Sequence, residues 1–268
     1  MRILVCVKQV PDTTEIKIDP VKNTLIREGV PSIVNTFDAY ALEIAARIKD
    51  ADPENTTITL LSMGPDQAKA ALTECLSVGG DTAYLCSDRK FGGSDTLATS
   101  YILSEAIKQI ERKDGKFDVI FCGKQAIDGD TGQVGPEIGA HLDLPVLTYV
   151  TEASIDGDEV VVKRESDQGY DIISAKLPAL VTVNKTAFEP RYATLKSKRA
   201  AKKKEINVIT FADMESIDEA KCGLKGSPTN VKKTYTPNRT YNCTMIEDED
   251  PKVEATKLAD LLKEAKVL

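Results

Sequence analysis

A buried strand followed by a glycine-rich loop and a helix decides the fold class of this chain. The stretch reads Asp118-Val-Ile-Phe-Cys122 and continues Gly123-Lys-Gln-Ala-Ile-Asp-Gly-Asp-Thr-Gly-Gln-Val-Gly-Pro136. Asp118 to Cys122 is of strand length and apolar from Val119 onward, and a helical pattern begins near Val134. At such a junction a doubly wound sheet presents backbone N–H groups to a ligand. The stretch therefore predicts a ligand-binding α/β domain.

The composition of this loop favours ligand binding over a purely structural turn. Its glycines allow a ligand to approach the backbone closely, and Asp128, Thr131 and Gln133 offer hydrogen bonds without bulk. The alternative is that the glycines only satisfy turn geometry. We favour ligand binding because the loop contains more glycines and small polar groups than a turn needs.

The order of strand and then helix recurs towards the N-terminus. Ile3–Val7, Ile58–Met63 and Ala83–Cys86 are apolar runs of strand length. The helical patterns run from Phe37 to Ile48, from Ala68 to Leu76, from about Asp95 to Ile110, and from Val134 to Leu142. Asn35 and Thr36 are capping candidates for the first helix. The pattern predicts a doubly wound, mostly parallel α/β sheet.

The pattern changes after about Val146. Glu159–Glu165 and Asp171–Val183 are predicted as two strands of an added hairpin. From Phe188 onward regular patterns are few, apart from a last amphipathic helix near the C-terminus. We therefore expect an α/β domain with an added hairpin over residues 1–187, and a loop and extended arm that wraps a partner over residues 188–268.

Composition excludes several classes of function. The chain has 268 residues, a formal charge of −7 and no apolar run of membrane-spanning length, so nucleic acid and membrane insertion are not expected. No signal peptide is recognised, and a cytoplasmic protein is predicted. The six cysteines contain no CxxC clip, and the single histidine, His141, is assigned a structural role, so no metal site is expected. The chemistry is expected to come from a cofactor rather than from a catalytic side chain.

A second glycine-rich loop, Phe91-Gly-Gly-Ser-Asp-Thr96, also precedes a helix, with Thr99 one turn further on. Two interpretations stay open: Ser94 or Asp95 is simply the helix N-cap, or the loop holds a pyrophosphate group. The loop is also similar to the SGGxDS phosphate loop of ATP pyrophosphatases, but that loop follows the first strand of its sheet and this one follows the third. Neither G-x-G-x-x-G nor the Walker motif occurs in the chain.

A mostly basic run, Lys196–Lys204, lies in the C-terminal part of this acidic chain. It is either a solvated face or a surface that steers an acidic partner.

Several motifs together resemble the β subunit of electron transfer flavoprotein. They are Val7-Lys-Gln-Val-Pro-Asp12, Asn35-Thr-Phe-Asp38, Gly123-Lys-Gln-Ala-Ile-Asp128 and Glu189-Pro-Arg-Tyr-Ala-Thr194. The segment from Val162 to Thr182 resembles the signature of that family, except that Asp167-Gln-Gly169 replaces the more usual Asp-Gly-Gly. The motifs occur in the family's order over essentially the whole chain.

The resemblance implies a nucleotide-binding α/β domain of the adenine nucleotide alpha hydrolase-like type. It also implies a heterodimer with an α subunit, which the C-terminal arm of the β subunit embraces. In one branch of the family the β subunit holds AMP and a single FAD lies mostly on the α subunit. In the electron-bifurcating branch a second FAD takes the place of AMP and is reduced by NADH. The segments Gln9–Asp12, Gly92–Thr96 with Thr99, Gly129–Gly132 and Gly223–Thr229 resemble the bifurcating branch.

Carried over by motif position, the resemblance implies the following cofactor-binding residues. They are Cys6, Asn35, Thr36, Phe37, Asp38, Met63, Gly64, Asp95, Thr96, Thr99, Gly123, Lys124, Gln125, Ala126, Ile127, Asp128, Gly129, Asp130, Thr131, Gly132, Gln133 and Val134. Met63 stands where the family has a small or thiol residue, Phe37 is expected to approach the flavin of the α subunit, and Leu195 matches the leucine that docks dehydrogenase partners.

The implied activity is that of a flavin-dependent, NADH-oxidising oxidoreductase subunit that works only in complex. One electron from NADH goes to ferredoxin or flavodoxin, and the other goes through the α-bound FAD to an acyl-CoA dehydrogenase-like partner. A non-bifurcating electron carrier with AMP is the alternative. A stand-alone nucleotide sensor is less favoured, because such a protein has no need of the arm. A pyrophosphatase is less favoured, because its SGGxDS loop would follow the first strand.

Overall fold

The computed structural model describes residues 1–12, 31–229, 231–232 and 243–268. The middle of the predicted arm, residues 233–242, lies outside the described residues. The chain divides into two compact units, Met1–Lys232 and Lys233–Leu268.

The first unit contains a large, mostly parallel sheet. The strands of this unit are β1 (Arg2–Cys6), β2 (Gln9–Pro11), β3 (Ser32–Val34), β4 (Thr57–Met63), β5 (Thr82–Cys86), β6 (Val119–Gly123), β7 (Val146–Asp156), β8 (Glu159–Ser166), β9 (Gly169–Lys176), β10 (Ala179–Val183) and β11 (Ile206–Ile209). β2 and β3 form a separate short ribbon, and the other nine strands form the large sheet. The order across the sheet is β11-β5-β4-β1-β6-β10-β7-β8-β9. The pairs from β11 to β7 are parallel, and β8 runs antiparallel to both of its neighbours.

Helices cover both faces of the central strands, so the predicted doubly wound α/β class is confirmed. The helices are α1 (Thr36–Ala51), α2 (Lys69–Ser77), α3 (Thr96–Asp114), α4 (Val134–Leu142), α5 (Leu195–Ala201), α6 (Gly223–Gly226) and α7 (Pro251–Glu264). Residues of α1 and α2 contribute to one apolar core, and residues of α3 and α4 contribute to the other.

The apolar runs of the central strands are divided between these two cores. Ile3 and Val5 of β1 face the core that contains α1, whereas Leu4 faces the core that contains α3. Successive side chains of a strand point to opposite faces, so a strand covered on both faces needs a continuous apolar run. In β6, Phe121 faces the α1 side and is fully buried.

The predicted strand Asp171–Val183 is two strands in the structure. Pro178, which has no backbone N–H, separates the largely exposed β9 from β10, whose residues are all buried. β7 and β8 lie between these two strands in the sheet, because β10 pairs in parallel with β6 and β7. The added element is therefore a three-stranded meander, β7-β8-β9, and its first strand was missed by the sequence analysis.

Part of the chain after Phe188 also belongs to the sheet. β11 pairs with β5 and forms one edge of the sheet, and the first compact unit extends to Lys232. A four-residue strand surrounded by polar residues has too short an apolar pattern to be recognised.

The second unit contains α7. Asp250 caps the helix by accepting a hydrogen bond from the N–H of Lys252, and Pro251 occupies the first turn. Val253, Leu258 and Leu261 are all partly exposed. Within the described ranges, no helix is both long enough and apolar enough to cross a membrane.

We expect Phe121→Ala to lower the free energy of unfolding by about 3–5 kcal/mol, because it leaves a cavity in the central strand. Urea unfolding monitored by circular dichroism measures the change. Tyr170→Ala on the exposed face of β9 is the control and should change the free energy by less than about 0.5 kcal/mol. Equal effects of the two substitutions would contradict the assignment of Phe121 to the core.

Candidate functional site

A cavity of about 890 Å³ lies at the carboxyl ends of β1, β4, β5 and β6. This volume is within the range of about 300–1,000 Å³ that is usual for ligand pockets. Both predicted glycine loops line the cavity. The predicted site residues on its wall are Cys6, Asn35, Asp38, Met63, Gly64, Asp95, Thr96, Thr99, Gly123, Lys124, Gln125, Ala126, Asp128, Gly129, Thr131, Gly132, Gln133 and Val134.

Four predicted residues do not lie on this wall: Thr36, Phe37, Ile127 and Asp130. Ile127 donates its backbone N–H to Asn35 Oδ1, and Asp130 accepts a hydrogen bond from Gln125 Nε2, so both support the loop from behind. Phe37 lies beneath Lys124, with 5.9 Å from Nζ to the ring centre. In this cavity these residues support the wall or lie beside it rather than forming it.

The buried carboxylate of Asp38 connects three elements at the base of the cavity. Its Oδ2 accepts the N–H of Lys8 at 2.7 Å, and its Oδ1 accepts the N–H of Gly123 at 3.1 Å. Burial raises the pKa of Asp38 from an ordinary 3.8 to about 7, and these hydrogen bonds oppose the rise. Asp38 therefore holds two segments against the first turn of α1: the end of β6, and Lys8, which lies two residues after β1.

Asn35 occupies the N-cap position of α1, but its side chain does not cap the helix. Its Nδ2 donates to the carbonyl of Gln125 at 2.8 Å, and its Oδ1 accepts from the N–H of Ile127 at 3.0 Å. The predicted capping role of this side chain is therefore wrong. Asn35 instead fixes the backbone of the first glycine loop, because its two polar atoms match one donor and one acceptor there.

Lys8 is a site residue that the sequence analysis did not single out. Its Nζ lies 2.6 Å from Asp128 Oδ1, and Lys8 lines the cavity. The pair joins the segment after β1 to the middle of the first glycine loop. One signal could have revealed Lys8: it follows a buried parallel strand, at the sheet edge where ligands bind.

The two glycine loops meet across the cavity. Thr96 Oγ1, at the start of α3, donates to Gln133 Oε1, just before α4, at 3.0 Å. Among the described residues, the backbone N–H groups of Thr131, Gly132 and Gln133 have no hydrogen-bond acceptor. The loops therefore place two helix N-termini, with free donors beside them, along one cavity, an arrangement suited to anions.

Asp95 has a structural role in addition to its place on the wall. Its Oδ1 accepts the N–H of Ala98 at 3.0 Å and caps α3, which confirms the capping interpretation for this residue. Its Oδ2 accepts the N–H of Thr229 at 2.9 Å, and its own N–H donates to Ser227 Oγ at 2.9 Å. These hydrogen bonds lower the pKa of Asp95 despite the opposing effect of burial. Both carboxylate oxygens are therefore used within the chain.

The floor of the cavity contains two thiols and a thioether. Cys6 and Cys122 stand at neighbouring ends of β1 and β6, and a hydrogen bond with Cys6, together with burial, raises the pKa of the Cys122 thiol. Met63 and Gly64 lie on the wall at the end of β4. Within the described residues no group of three or more potential metal ligands is found.

The loops after β4 and β5 add wall residues that were not predicted, among them Gln67, Asp88 and Arg89. The Arg89 side chain forms no ion pair with any described residue, so it can provide positive charge to a ligand. Gln67, Asp88 and Arg89 were missed because they lie outside the glycine cluster and outside every recognised motif.

Two further predicted residues lie away from the cavity wall. His141, in the last turn of α4, contacts the edge of Tyr101, with ring centres 5.9 Å apart. This contact agrees with a structural role. Leu195 is the first residue of α5, and 79% of its surface is exposed.

Fold and cavity together define an α/β domain with a ligand site at the carboxyl edge of its parallel strands. A family model described as electron transfer flavoprotein domain matches residues 22–214. The electron transfer flavoprotein subunit beta of Megasphaera elsdenii is 52% identical over 95% of this chain and 94% of its own length.

Two other relatives bear more specific names. The caffeyl-CoA reductase-Etf complex subunit CarD of Acetobacterium woodii is 45% identical over the full length of both chains. Protein FixA of Azorhizobium caulinodans is 40% identical over 98% of this chain and 94% of its own. The chain belongs to the electron transfer flavoprotein family and is similar throughout to its β subunits.

We expect Gly123→Ala to disrupt the base of the cavity. A Cβ at this position overlaps Asp38 Oδ1 and lies 2.8 Å from the backbone N of Asp38. Overpacking of this kind lowers the free energy of unfolding by about 1–3 kcal/mol. Urea unfolding monitored by circular dichroism is the measurement.

Gly129→Ala is the matched control for stability, because a Cβ there has no neighbour within 4 Å. Its free energy of unfolding should stay within about 0.5 kcal/mol of the parent protein. If Gly123→Ala were equally harmless, the Asp38 contact would not constrain the site.

Proposed function

We propose that this chain is the β subunit of an electron-bifurcating electron transfer flavoprotein and that its cavity holds FAD. One observation carries the proposal: the two glycine loops meet at the Thr96–Gln133 hydrogen bond and line a single cavity. A ligand with a nucleoside at one end and more than one phosphate uses both loops, whereas a nucleoside monophosphate uses only one.

The first glycine loop suits the adenosine end of the ligand. Asn35 and Lys8 hold this loop in place, Lys8 through its ion pair with Asp128 of the loop, and the loop's N–H groups at Thr131, Gly132 and Gln133 are free within the described residues. Cys6, Met63 and Gly64 add a largely apolar surface on which an adenine ring can lie. The residues present therefore fit an adenine nucleotide.

The second glycine loop suits the pyrophosphate. Thr96 and Thr99 line the cavity on successive turns of α3, beside a helix N-terminus, and Arg89 provides positive charge nearby. Asp95 serves here as an anchor of the loop rather than as a direct ligand, because both of its oxygens already accept hydrogen bonds.

FAD, when bound, supplies hydride acceptance from NADH and transfer of single electrons. No side chain is assigned as a nucleophile, acid or base; the chain binds and orients the cofactor. Asp38 keeps the floor of the cavity fixed, and the two glycine loops would hold the phosphates of the cofactor. The two electrons are proposed to leave separately, one to ferredoxin or flavodoxin and one through an α-subunit FAD.

The proposed partners follow the resemblance to the family and the relatives' names. We infer pairing with an α subunit and, in the cytoplasm, with an acyl-CoA dehydrogenase-like flavoenzyme. The name of CarD, which places it in a caffeyl-CoA reductase-Etf complex, supports a partner of this chemical class.

A non-bifurcating carrier with AMP is the second candidate. It is favoured by the hydrogen bonds that Asp95 makes within the chain. Ala98, Ser227 and Thr229 satisfy the polar groups of Asp95 without any ligand. In that case the N-terminus of α3 has only a structural role.

The nucleotide released from the purified α/β heterodimer separates the two candidates. On denaturation we expect two FAD and essentially no AMP per heterodimer, measured by chromatography against standards. One FAD and one AMP would reject the bifurcating proposal and favour the alternative.

Thr96→Asp should reduce the flavin count towards one while sparing the α-bound flavin, because a carboxylate at the start of α3 repels a phosphate. Ser174→Asp, on the exposed face of β9, adds the same charge away from the cavity and should leave the count at two. An unchanged count in Thr96→Asp would remove this helix start from the phosphate site.

Leu195→Ala should weaken docking of the dehydrogenase without changing the nucleotide content. An apolar anchor at the centre of an interface contributes a few kcal/mol, roughly 2 kcal/mol or more when it is a hot spot. Titration of the dehydrogenase into the heterodimer by calorimetry measures the affinity. An unchanged affinity would exclude Leu195 from the interface.

A further inference from the structure

A buried carboxylate on α1 holds the segment that joins β10 to α5. Glu43 Oε2 accepts the backbone N–H of Arg191 at 3.0 Å and its Nε at 2.8 Å, and Glu43 Oε1 accepts Arg191 Nη2 at 3.2 Å. Glu43 Oε1 also accepts Arg47 Nε at 2.9 Å. We call this group, with Asp50 bound to Arg191 Nη2 at 2.7 Å, the Glu43 clamp.

The Glu43 clamp has a buried end at Glu43 and an exposed end at Asp50. The side chain of Glu43 is only 3% exposed, whereas that of Asp50 is 61% exposed. Burial opposes ionisation of Glu43, but the hydrogen bonds from Arg191 and Arg47 outweigh it and lower the pKa of Glu43. A buried ion pair contributes little net stability compared with apolar packing, so its main effect is to fix one geometry.

Two neighbouring contacts fix the same segment. Tyr40 donates its hydroxyl to Glu189 at 3.2 Å, and the guanidinium of Arg47 lies 3.8 Å above the ring of Phe188. Residues 184–194 contain no helix or strand, so these side-chain contacts, rather than a backbone ladder, determine the path of the chain.

The segment held in this way displays two large apolar side chains. Tyr192, directly after Arg191, is 95% exposed, and Leu195 is 79% exposed. We call these two residues the docking tip. Little of either side chain is buried within this chain, and tyrosine is enriched among the residues that dominate binding at protein interfaces.

Cations surround the docking tip on α5 and just beyond it. Lys196, Lys198, Arg199, Lys202 and Lys203 form no ion pair with any described residue. Lys204 differs, because it donates to the carbonyls of Gly80 and Asp81. An apolar tip surrounded by unpaired cations is complementary to an apolar pocket bordered by carboxylates.

We propose that the Glu43 clamp is a positioning device for the docking tip, and that Glu43 acts through Arg191 to present Tyr192 and Leu195 to an acidic, apolar-centred pocket of a partner protein. The proposal rests on the proposed function for the identity of that partner, an acyl-CoA dehydrogenase. Glu43 does not touch the partner; it reduces the conformational freedom that the segment loses on binding.

The test uses the α/β heterodimer and the acyl-CoA dehydrogenase of the same organism as the probe. Glu43→Gln keeps the size of the side chain and removes its charge. We expect the KM for the dehydrogenase to rise about tenfold, with kcat at saturating dehydrogenase and the nucleotide content unchanged. Asp50→Asn, at the exposed end of the clamp, should raise KM less than about twofold.

Glu54→Gln is the matched control, because it makes the same chemical change at an exposed position outside the clamp. It should leave KM unchanged. If Glu43→Gln impairs folding, Arg191→Lys serves instead, since it keeps the charge but loses the forked hydrogen bonds, and the same rise in KM is expected.

A double-mutant cycle separates positioning from general destabilisation. If Glu43 acts through the docking tip, Glu43→Gln should add little to the loss already caused by Leu195→Ala. Trypsin should also cut after Arg191 faster in Glu43→Gln, as detected by mass spectrometry, with binding of the dehydrogenase restoring protection.

The outcomes distinguish this proposal from the proposed function. If Leu195→Ala weakens docking but Glu43→Gln leaves KM unchanged, the positioning role is overturned and the docking role stands. If the two effects add fully, Glu43 acts independently of the tip and the proposal is overturned. If neither substitution affects docking, the dehydrogenase partnership fails too, whereas the nucleotide count tests the cofactor separately.

Discussion

The site depends on one buried carboxylate that has two backbone partners. Asp38 accepts the N–H of Lys8 and the N–H of Gly123, so a single side chain in the first turn of α1 fixes the ends of two chain segments that are far apart in sequence. Each buried N–H of this kind needs an acceptor, and the carboxylate satisfies two at once. Gly123 has no side chain because Asp38 occupies that space. The floor of the cavity is therefore tied together by a single side chain.

The central strands and helices follow from local rules that a sequence makes visible. β1 and β6 are continuous apolar runs because both of their faces are covered, and the helices repeat their apolar residues at helical spacing. The glycine loops were recognisable because composition alone distinguishes them. Residues outside these loops, such as Cys6, Asn35 and Met63, were predicted only through the resemblance to the family, and they line the same cavity.

Long-range pairing explains what the sequence analysis missed. β10 was joined to β9 because the two are adjacent in sequence, yet β10 inserts between β6 and β7. The direction of the Asn35 side chain depends on Gln125 and Ile127, about ninety positions away. The residues next to Asn35 in sequence do not reveal whether its side chain caps the helix or binds elsewhere. Lys8 similarly acquires its role only when Asp128 lies beside it.

The hydrogen bonds of Asp95 have a consequence for how distant parts of the chain communicate. One carboxylate holds both the first turn of α3, through Ala98, and the backbone at Thr229. The first turn of α3 lines the cavity, so Asp95 connects the cavity wall to the backbone at Thr229. A ligand that shifts this turn would also bias the backbone at Thr229, and by reciprocity a displacement of Thr229 would change the affinity for that ligand by the same factor.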